Sequence, residues 1–314
     1  MRVGAIDCGT NSIRLLIADV EGPRLDEVVR VMTVVRLGEG VDRTGAFSPA
    51  ALQRTFAACE EYAATIDGLG VERLRFVATS ASRDVSNRAA FIDGVRERLG
   101  VEPEVISGAE EARLSFRGAV EGLPRDRIAM PTLVVDIGGG STEFVLGDRD
   151  AEGRVDVEAA VSVDIGCVRM TERHLHGDPP TAEEIARVEA DVEGALDRAS
   201  REVPLDRARS LIGVAGTVTT VVALVHDLPV YDPAAIHGLA ATPAQVEDMT
   251  ARLLAMSRSE RAALSVMHPG RIDVIGGGSL VLRAIVRRLG MPVIASETDI
   301  LDGVARSLAE ASAG

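Results

Sequence analysis

Two short segments of the chain gather side chains suited to phosphate chemistry. The first, Asp7-Cys-Gly-Thr-Asn-Ser12, follows an apolar run and is followed two residues later by Arg14. Gly9 permits a tight turn, and Thr10, Asn11 and Ser12 add side-chain donors to the backbone N–H groups. In a strand, Arg14 lies on the same face as Ser12, which adds a cation to those donors. The second segment, Asp136-Ile-Gly-Gly-Gly-Ser-Thr-Glu143, has three glycines before a serine. Without Cβ atoms, Gly138, Gly139 and Gly140 can curl their N–H groups, with Ser141, around an anion. Asp136 and Glu143 at the two ends of this turn offer carboxylates to a hard cation such as Mg2+.

The elements that must hold these turns follow from the flanking residues. VGAIDCGTNSIRLLI begins at Val3 and TLVVDIGGGSTEFVL at Thr132, so the chain contains a near-repeat. Each copy reads as apolar strand, Asp, glycine turn and second apolar strand, which is a β-hairpin. Asp7 and Asp136 stand 129 positions apart (136 minus 7), about one domain length. The first half predicts a βββαβα order, with strands at Leu25–Arg36 and Leu74–Ala78, a helix from Ser48, and helices at Asn87–Leu99 and Ala109–Val120. In the second half, strands are predicted at Leu133–Val135, Glu143–Leu146, Val155–Val163, Ser210–Val214 and Pro292–Ala295. Helices are predicted at Thr181–Glu202, Thr217–Val225, Pro243–Met256 and Ser279–Leu289, with a last one from about Asp299. The expected class is α/β, in two domains at 1–124 and 125–298 divided in the Gly- and Pro-containing stretch Glu121–Pro131, with the terminal helix (299–314) packing back on the first.

Composition narrows the chemistry. The chain has 314 residues, and its formal charge of −14 disfavours nucleic acid or an anionic membrane surface as partner. All 34 basic residues are Arg, so phosphate must be met by guanidinium forks or backbone N–H groups, and a lysine-dependent P-loop is excluded. The longest stretch without a charged side chain, Ser210–His226, is too short for a membrane span and contains Gly213 and Gly216. Three cysteines, with no CxxC pair, give neither a disulfide framework nor a zinc signature and point to a reduced, cytoplasmic setting. His174 and His176 read as a surface loop rather than a metal clip, and Cys8 as a small core residue.

Seven segments together resemble the exopolyphosphatase and guanosine pentaphosphate phosphohydrolase (Ppx/GppA) family of the actin-like superfamily. They are IDCGTNSIRLLI, VRLGEGVDRTG, ATSASRDVSN, VISGAEEARLSFRGA, VVDIGGGSTEF, GVAGTVTT and GRIDVIGGGSLVL, from residue 6 to about residue 283. The resemblance implies two ribonuclease H-like (actin-like) domains with mixed sheets flanking a central phosphate-binding cleft. It implies that Glu111, in Gly-Ala-Glu-Glu-Ala-Arg, is the base that activates water, and that Asp136, Glu143 and Asp7 hold the metal, Mg2+ or Mn2+. Arg83 matches a phosphate-contacting arginine, Arg14 and Arg271 match positions of substrate contact, and Gly213, Gly216 and Thr217 a further phosphate-facing loop. The implied reaction is removal of terminal phosphate from inorganic polyphosphate, for which charge neutralisation and a positioned water matter more than covalent chemistry.

The resemblance also implies a homodimer and a place in the stringent response, with the alarmone (p)ppGpp as substrate or inhibitor. The alternatives are a guanosine pentaphosphate 5′-phosphohydrolase and a non-catalytic sensor of polyphosphate or alarmone. A kinase on the same fold is disfavoured because Glu-Glu-Ala-Arg belongs to the phosphatase pattern. The chain ends without the further helical domains of longer relatives, from which a preference for short chains is expected. Ser296–Ala305 departs from the Arg- and Gly-containing segment of those relatives.

Overall fold

A computed structural model describes residues 1–22, 24–83, 85–149 and 155–310. The chain folds as two compact units, Met1–Leu114 joined by the segment from Ile300, and Ser115–Asp299. The division falls inside a helix, ahead of the Gly- and Pro-containing stretch.

Unit 1 opens with β1 (Arg2–Cys8), which pairs antiparallel with β2 (Ser12–Glu21), itself paired with β3 (Arg24–Val34). After α1 (Val41–Thr44) and α2 (Pro49–Leu69), β4 (Arg73–Ala78) runs parallel to β1. Then come α3 (Arg88–Leu99), β5 (Glu104–Val105) and α4 (Gly108–Gly122), giving the sheet order β3-β2-β1-β4-β5. Ser48 starts α2 by accepting from the Ala51 N–H, with Pro49 in the first turn. Strand alternation sends Ile6, Cys8 and Ile13 into a core with Phe76 and Phe91, and Val3, Ala5, Leu16 and Ala18 into a second core. The last helix, Ile300–Glu310, supplies Leu301, Val304 and Ala305 to that second core.

Unit 2 contains β6 (Thr132–Ile137), β7 (Thr142–Arg149), β8 (Val155–Val163), α5 (Cys167–His174), α6 (Ala182–Glu202) and β9 (Ser210–Val214). It continues through α7 (Ala215–Val225), α8 (Pro233–Ile236), β10 (Ala240–Ala241), α9 (Pro243–Ala255), α10 (Arg258–Ala262), α11 (Ile275–Leu289) and β11 (Val293–Ala295) before the last helix, α12. Read from β8, the sheet runs β8-β7-β6-β9-β11, the same order and strand directions as unit 1, with β10 added at the far edge. The repetition extends to the register: β2 and β3 shift between Ile17 and Ala18, and β7 and β8 between Leu146 and Gly147, again 129 positions on (146 minus 17).

Two expectations need correcting. Cys167–His174 is a helix that places His174 in its last turn rather than in a loop. In addition, α11 begins at Ile275, so Gly276, Gly277 and Gly278 are helical. Tertiary packing overrides the poor helix propensity of glycine here. A Cβ on Gly277 would lie 2.9 Å from the Cys167 carbonyl, and one on Gly278 would crowd Thr217. None of the helices among the described residues is long and apolar enough to cross a membrane.

A similar contact ties α12 into unit 1, where a Cβ on Gly303 would run into the Leu114 carbonyl. Gly303→Ala is therefore expected to destabilise the protein by about 1–3 kcal/mol, although Ala favours helix. Chemical denaturation of the two proteins measures this.

Candidate active site

The two hairpin turns close alike: the Gly9 N–H donates to the Ser12 carbonyl at 3.0 Å, and the Gly138 N–H to the Ser141 carbonyl at 3.0 Å. This closure puts Asp7 directly opposite Arg14 and Asp136 directly opposite Glu143. In unit 1 the facing charges are opposite, and the Arg14 guanidinium donates to Asp7 Oδ2 from Nη2 (2.6 Å) and Nε (3.1 Å). The first turn is clasped from outside: the Asn11 carbonyl accepts from the N–H groups of Val35 and Arg36, and Thr10 Oγ1 lies 3.2 Å from Ser80 Oγ. Asn11 and Ser12 remain half-buried beside it.

In unit 2 the facing charges are alike. Asp136 is 8% exposed and Glu143 1%. Ser115 Oγ donates to Asp136 Oδ2 (2.8 Å), while Ser141 and Ser162 donate to Glu143 Oε1 (2.7 and 2.6 Å). Like charges opposite one another in a ladder repel, and burial adds a desolvation cost, so this pair suits a divalent cation. Among the described residues no group of three or more His, Cys, Asp or Glu forms a metal cage. Two carboxylates nonetheless suffice for Mg2+, which keeps waters and takes phosphate oxygens as its other ligands.

The glycine turn of unit 2 is held from behind by the amino end of α5. The Cys167 N–H donates to the Gly138 carbonyl (2.9 Å), those of Val168 and Arg169 to the Gly139 carbonyl (2.9 and 3.0 Å), and Arg169 Nε to the Gly140 carbonyl (2.7 Å). In a trans peptide the C=O and the following N–H point in opposite directions. The N–H groups of Gly139, Gly140 and Ser141 are therefore turned away from α5, forming a row of donors for an anion. Close approach requires Gly166, where a Cβ would meet the Gly139 carbonyl and lie 2.7 Å from the Gly140 nitrogen. Gly166 and Arg169 escaped the sequence reading because only the fold brings them against the turn.

A third loop of unit 2 adjoins this one, since β9 runs parallel to β6 with Val214 beside Asp136. Ala215 enters α7 with φ +66°, a left-handed conformation strained for a residue with a Cβ. Arg271 lies so close over Gly216 that a Cβ there would strike its guanidinium. Its Nη1 donates to Thr220 Oγ1 (2.8 Å), and its Cζ sits 5.3 Å from the centre of the Tyr231 ring. Tyr231 Oη donates in turn to Glu297 (2.7 Å). Thr217 contacts the buried Cys167, whose thiol burial pushes up to about 11, so it is neutral at physiological pH. Unit 2 thus brings together Gly138–Gly140, Ser141, Gly216, Thr217 and Arg271, and adds Tyr231 and Glu297, which carry no local sequence signal.

In unit 1 the tandem glutamates separate. Ser107 starts α4, its Oγ accepting from the Glu110 N–H (3.2 Å) and its carbonyl from the Glu111 N–H (2.9 Å). Glu110 is half exposed and paired with Arg75 at 2.8 Å. Glu111 is buried and ion-paired with Arg83, whose Nε also donates to the Ile106 carbonyl (3.2 Å).

Comparison with known proteins decides the family. The Ppx/GppA phosphatase family matches residues 16–310. The chain belongs to this family. Among relatives of this Ppx/GppA protein, Exopolyphosphatase 2 of Mycobacterium tuberculosis is 50% identical over 98% of both chains. The crystal structure of an exopolyphosphatase-like protein superposes with a TM-score of 0.96 at 44% identity, covering 100% of this chain and 99% of that one. The Aquifex aeolicus Ppx/GppA family member superposes at 0.82 with 30% identity, over 100% and 99% of the two chains. The repeated mixed sheets are those of the actin-like two-domain fold expected from the motifs.

In this Ppx/GppA protein the contact at Gly166 is expected to admit no side chain. Gly166→Ala should lower stability by about 1–3 kcal/mol. It should also weaken binding of a phosphate-bearing substrate, read as a raised KM.

Proposed function

We propose that the protein is an exopolyphosphatase that removes terminal orthophosphate from inorganic polyphosphate. The buried Glu111–Arg83 pair carries the reading, because Glu111 lies on the segment that marks the phosphatase pattern and Arg83 fixes this one of two adjacent glutamates in a defined orientation. The 50% likeness to Exopolyphosphatase 2 supports polyphosphate over the guanosine substrate.

In this reading Glu111 orients a water at the terminal phosphorus. The water oxygen forms the new P–O bond and the bridging P–O bond breaks. One water proton passes to Glu111 and then to solvent, and the shortened chain leaves as a phosphate anion. Because the transition state of phosphoryl transfer is loose, orientation of the water matters more than its early deprotonation, a task that a clamped carboxylate performs. The N–H groups of Gly139, Gly140 and Ser141 bind phosphate oxygens, as do Arg83 and Arg271 through guanidinium forks. Asp136 and Glu143 would hold Mg2+, or Mn2+, which when bound withdraws charge from the phosphoryl oxygens. Asp7, already bonded to Arg14, acts instead by orienting that arginine. The reading carries with it a cytoplasmic homodimer on which (p)ppGpp acts as substrate or inhibitor, and the free, buried Cys8, Cys59 and Cys167 are in keeping with a reducing compartment.

The test is orthophosphate release from short-chain polyphosphate with Mg2+, run in parallel on guanosine pentaphosphate. Glu111→Gln should reduce kcat about 10²- to 10⁴-fold. Turnover of the guanosine substrate alone would replace the proposed substrate, and an unaffected Glu111→Gln enzyme would remove Glu111 from the reaction. Chelation of divalent metal is expected to abolish release and added Mg2+ to restore it, whereas release that persists in chelator would refute the metal's part.

A further inference from the structure

Behind the glycine turn of unit 2, α5 and α6 enclose an open cavity of about 330 Å³. Arg169 and Arg173 reach it from one face of α5, and Asp191, Gly194 and Arg198 from one face of α6, with Asp164 at the rim. Three guanidinium groups thus meet two carboxylates, in a chain whose net charge is −14. One of those carboxylates is already engaged: Asp191 Oδ2 lies 2.7 Å from His174 Nε2 and 3.3 Å from Arg173 Nη1, and the bond to His174 holds its carboxyl below the usual range. The other, Asp164, is 81% exposed and 3.8 Å from Arg169. Arg198 forms no ion pair among the described residues, and Gly194 opens the floor, since a Cβ there would meet nothing nearer than Arg198 Nη1 at 3.9 Å. A glycine inside a 21-residue helix costs about 1 kcal/mol relative to Ala, so the opening is not what helix stability alone would select. The cavity is joined to the turn by Arg169, whose Nε bonds the Gly140 carbonyl.

We propose that this cavity is an accessory phosphate subsite that takes distal phosphates of the polyphosphate chain whose terminal phosphate is being removed, an assignment that rests on the function proposed above. Several guanidinium forks in an open trough suit a flexible chain bearing a charge on every phosphate, and because the trough lies on the carbonyl side of the turn, only a chain long enough to pass round from the N–H side reaches it. The subsite adds affinity for long chains and leaves the chemical step untouched.

The experiment compares tripolyphosphate with a long-chain polyphosphate as substrates for the wild type, the Arg173→Ala/Arg198→Ala double variant, and Gly194→Met, which fills the cavity and keeps every charge. The expected result is a rise of about tenfold in KM for the long chain in both variants, with kcat and all tripolyphosphate kinetics unchanged. Equal effects on both substrates, or none, would overturn the subsite. If added pyrophosphate alters tripolyphosphate turnover by the wild type and not by the variants, the cavity binds a separate phosphate compound and the distal-chain assignment falls. A calorimetric arm on Glu111→Gln separates this inference from the function it rests on. Tighter binding of long chain than of tripolyphosphate, erased by Gly194→Met, supports the subsite without turnover, and equal binding overturns it. Absence of phosphate release from every polyphosphate in the wild type would instead refute the exopolyphosphatase reading.

Discussion

One backbone hydrogen bond, from the glycine that opens each turn to the serine that closes it, sets the chemistry of both hairpins. Because that bond fixes the register, the residue two before the glycine must face the residue two after the serine. In unit 1 the facing residues are Asp7 and Arg14, which neutralise one another. In unit 2 they are Asp136 and Glu143, buried and alike in charge. The same backbone device therefore sets a carboxylate against a guanidinium in one copy and two carboxylates against each other in the other. Serine hydroxyls donate to both carboxylates of that second pair, which the proposed Mg2+ would bind.

Around the second turn the fold controls direction as well as position. Carbonyls in a glycine run are free to rotate, and an anion site needs their N–H groups aligned. Helix α5 achieves this by bonding three successive carbonyls, and it approaches closely enough only because Gly166 has no side chain and because Gly277 and Gly278 let α11 press against it from the other side. The glycines in and around the site thus divide into those that shape the turn and those that admit a neighbour.

The 129-residue repeat was legible because it lies in strands, where apolar runs and a glycine turn are contiguous. It foretold both hairpins, and the segments that signal the family led to Glu111, which the structure then distinguishes from Glu110 by its partner. What stayed hidden has a common cause. Helix α5 is short and begins without a side-chain cap, so no local pattern announces it. Gly276–Gly278 read as a break because glycine disfavours helix, and only contacts with Cys167, Thr171 and Thr217, all distant in sequence, reverse that preference. Tyr231 reaches Arg271, and Glu297 reaches Tyr231, from loops far apart in sequence. Long-range packing, and not local propensity, placed each of these.

The return of α12 to unit 1 bears on how the protein is made. The face of β1 and β2 formed by Val3, Ala5, Leu16 and Ala18 is covered by Leu301, Val304 and Ala305, nearly 300 residues downstream. Unit 2 is continuous in sequence, whereas unit 1 is not. On the ribosome, unit 2 can therefore complete its core while the first hairpin still shows an apolar face. At ~5–20 residues per second that face waits roughly 15 to 55 s for its cover, so the earliest part of the chain to emerge is the last to be buried and the most in need of protection from aggregation.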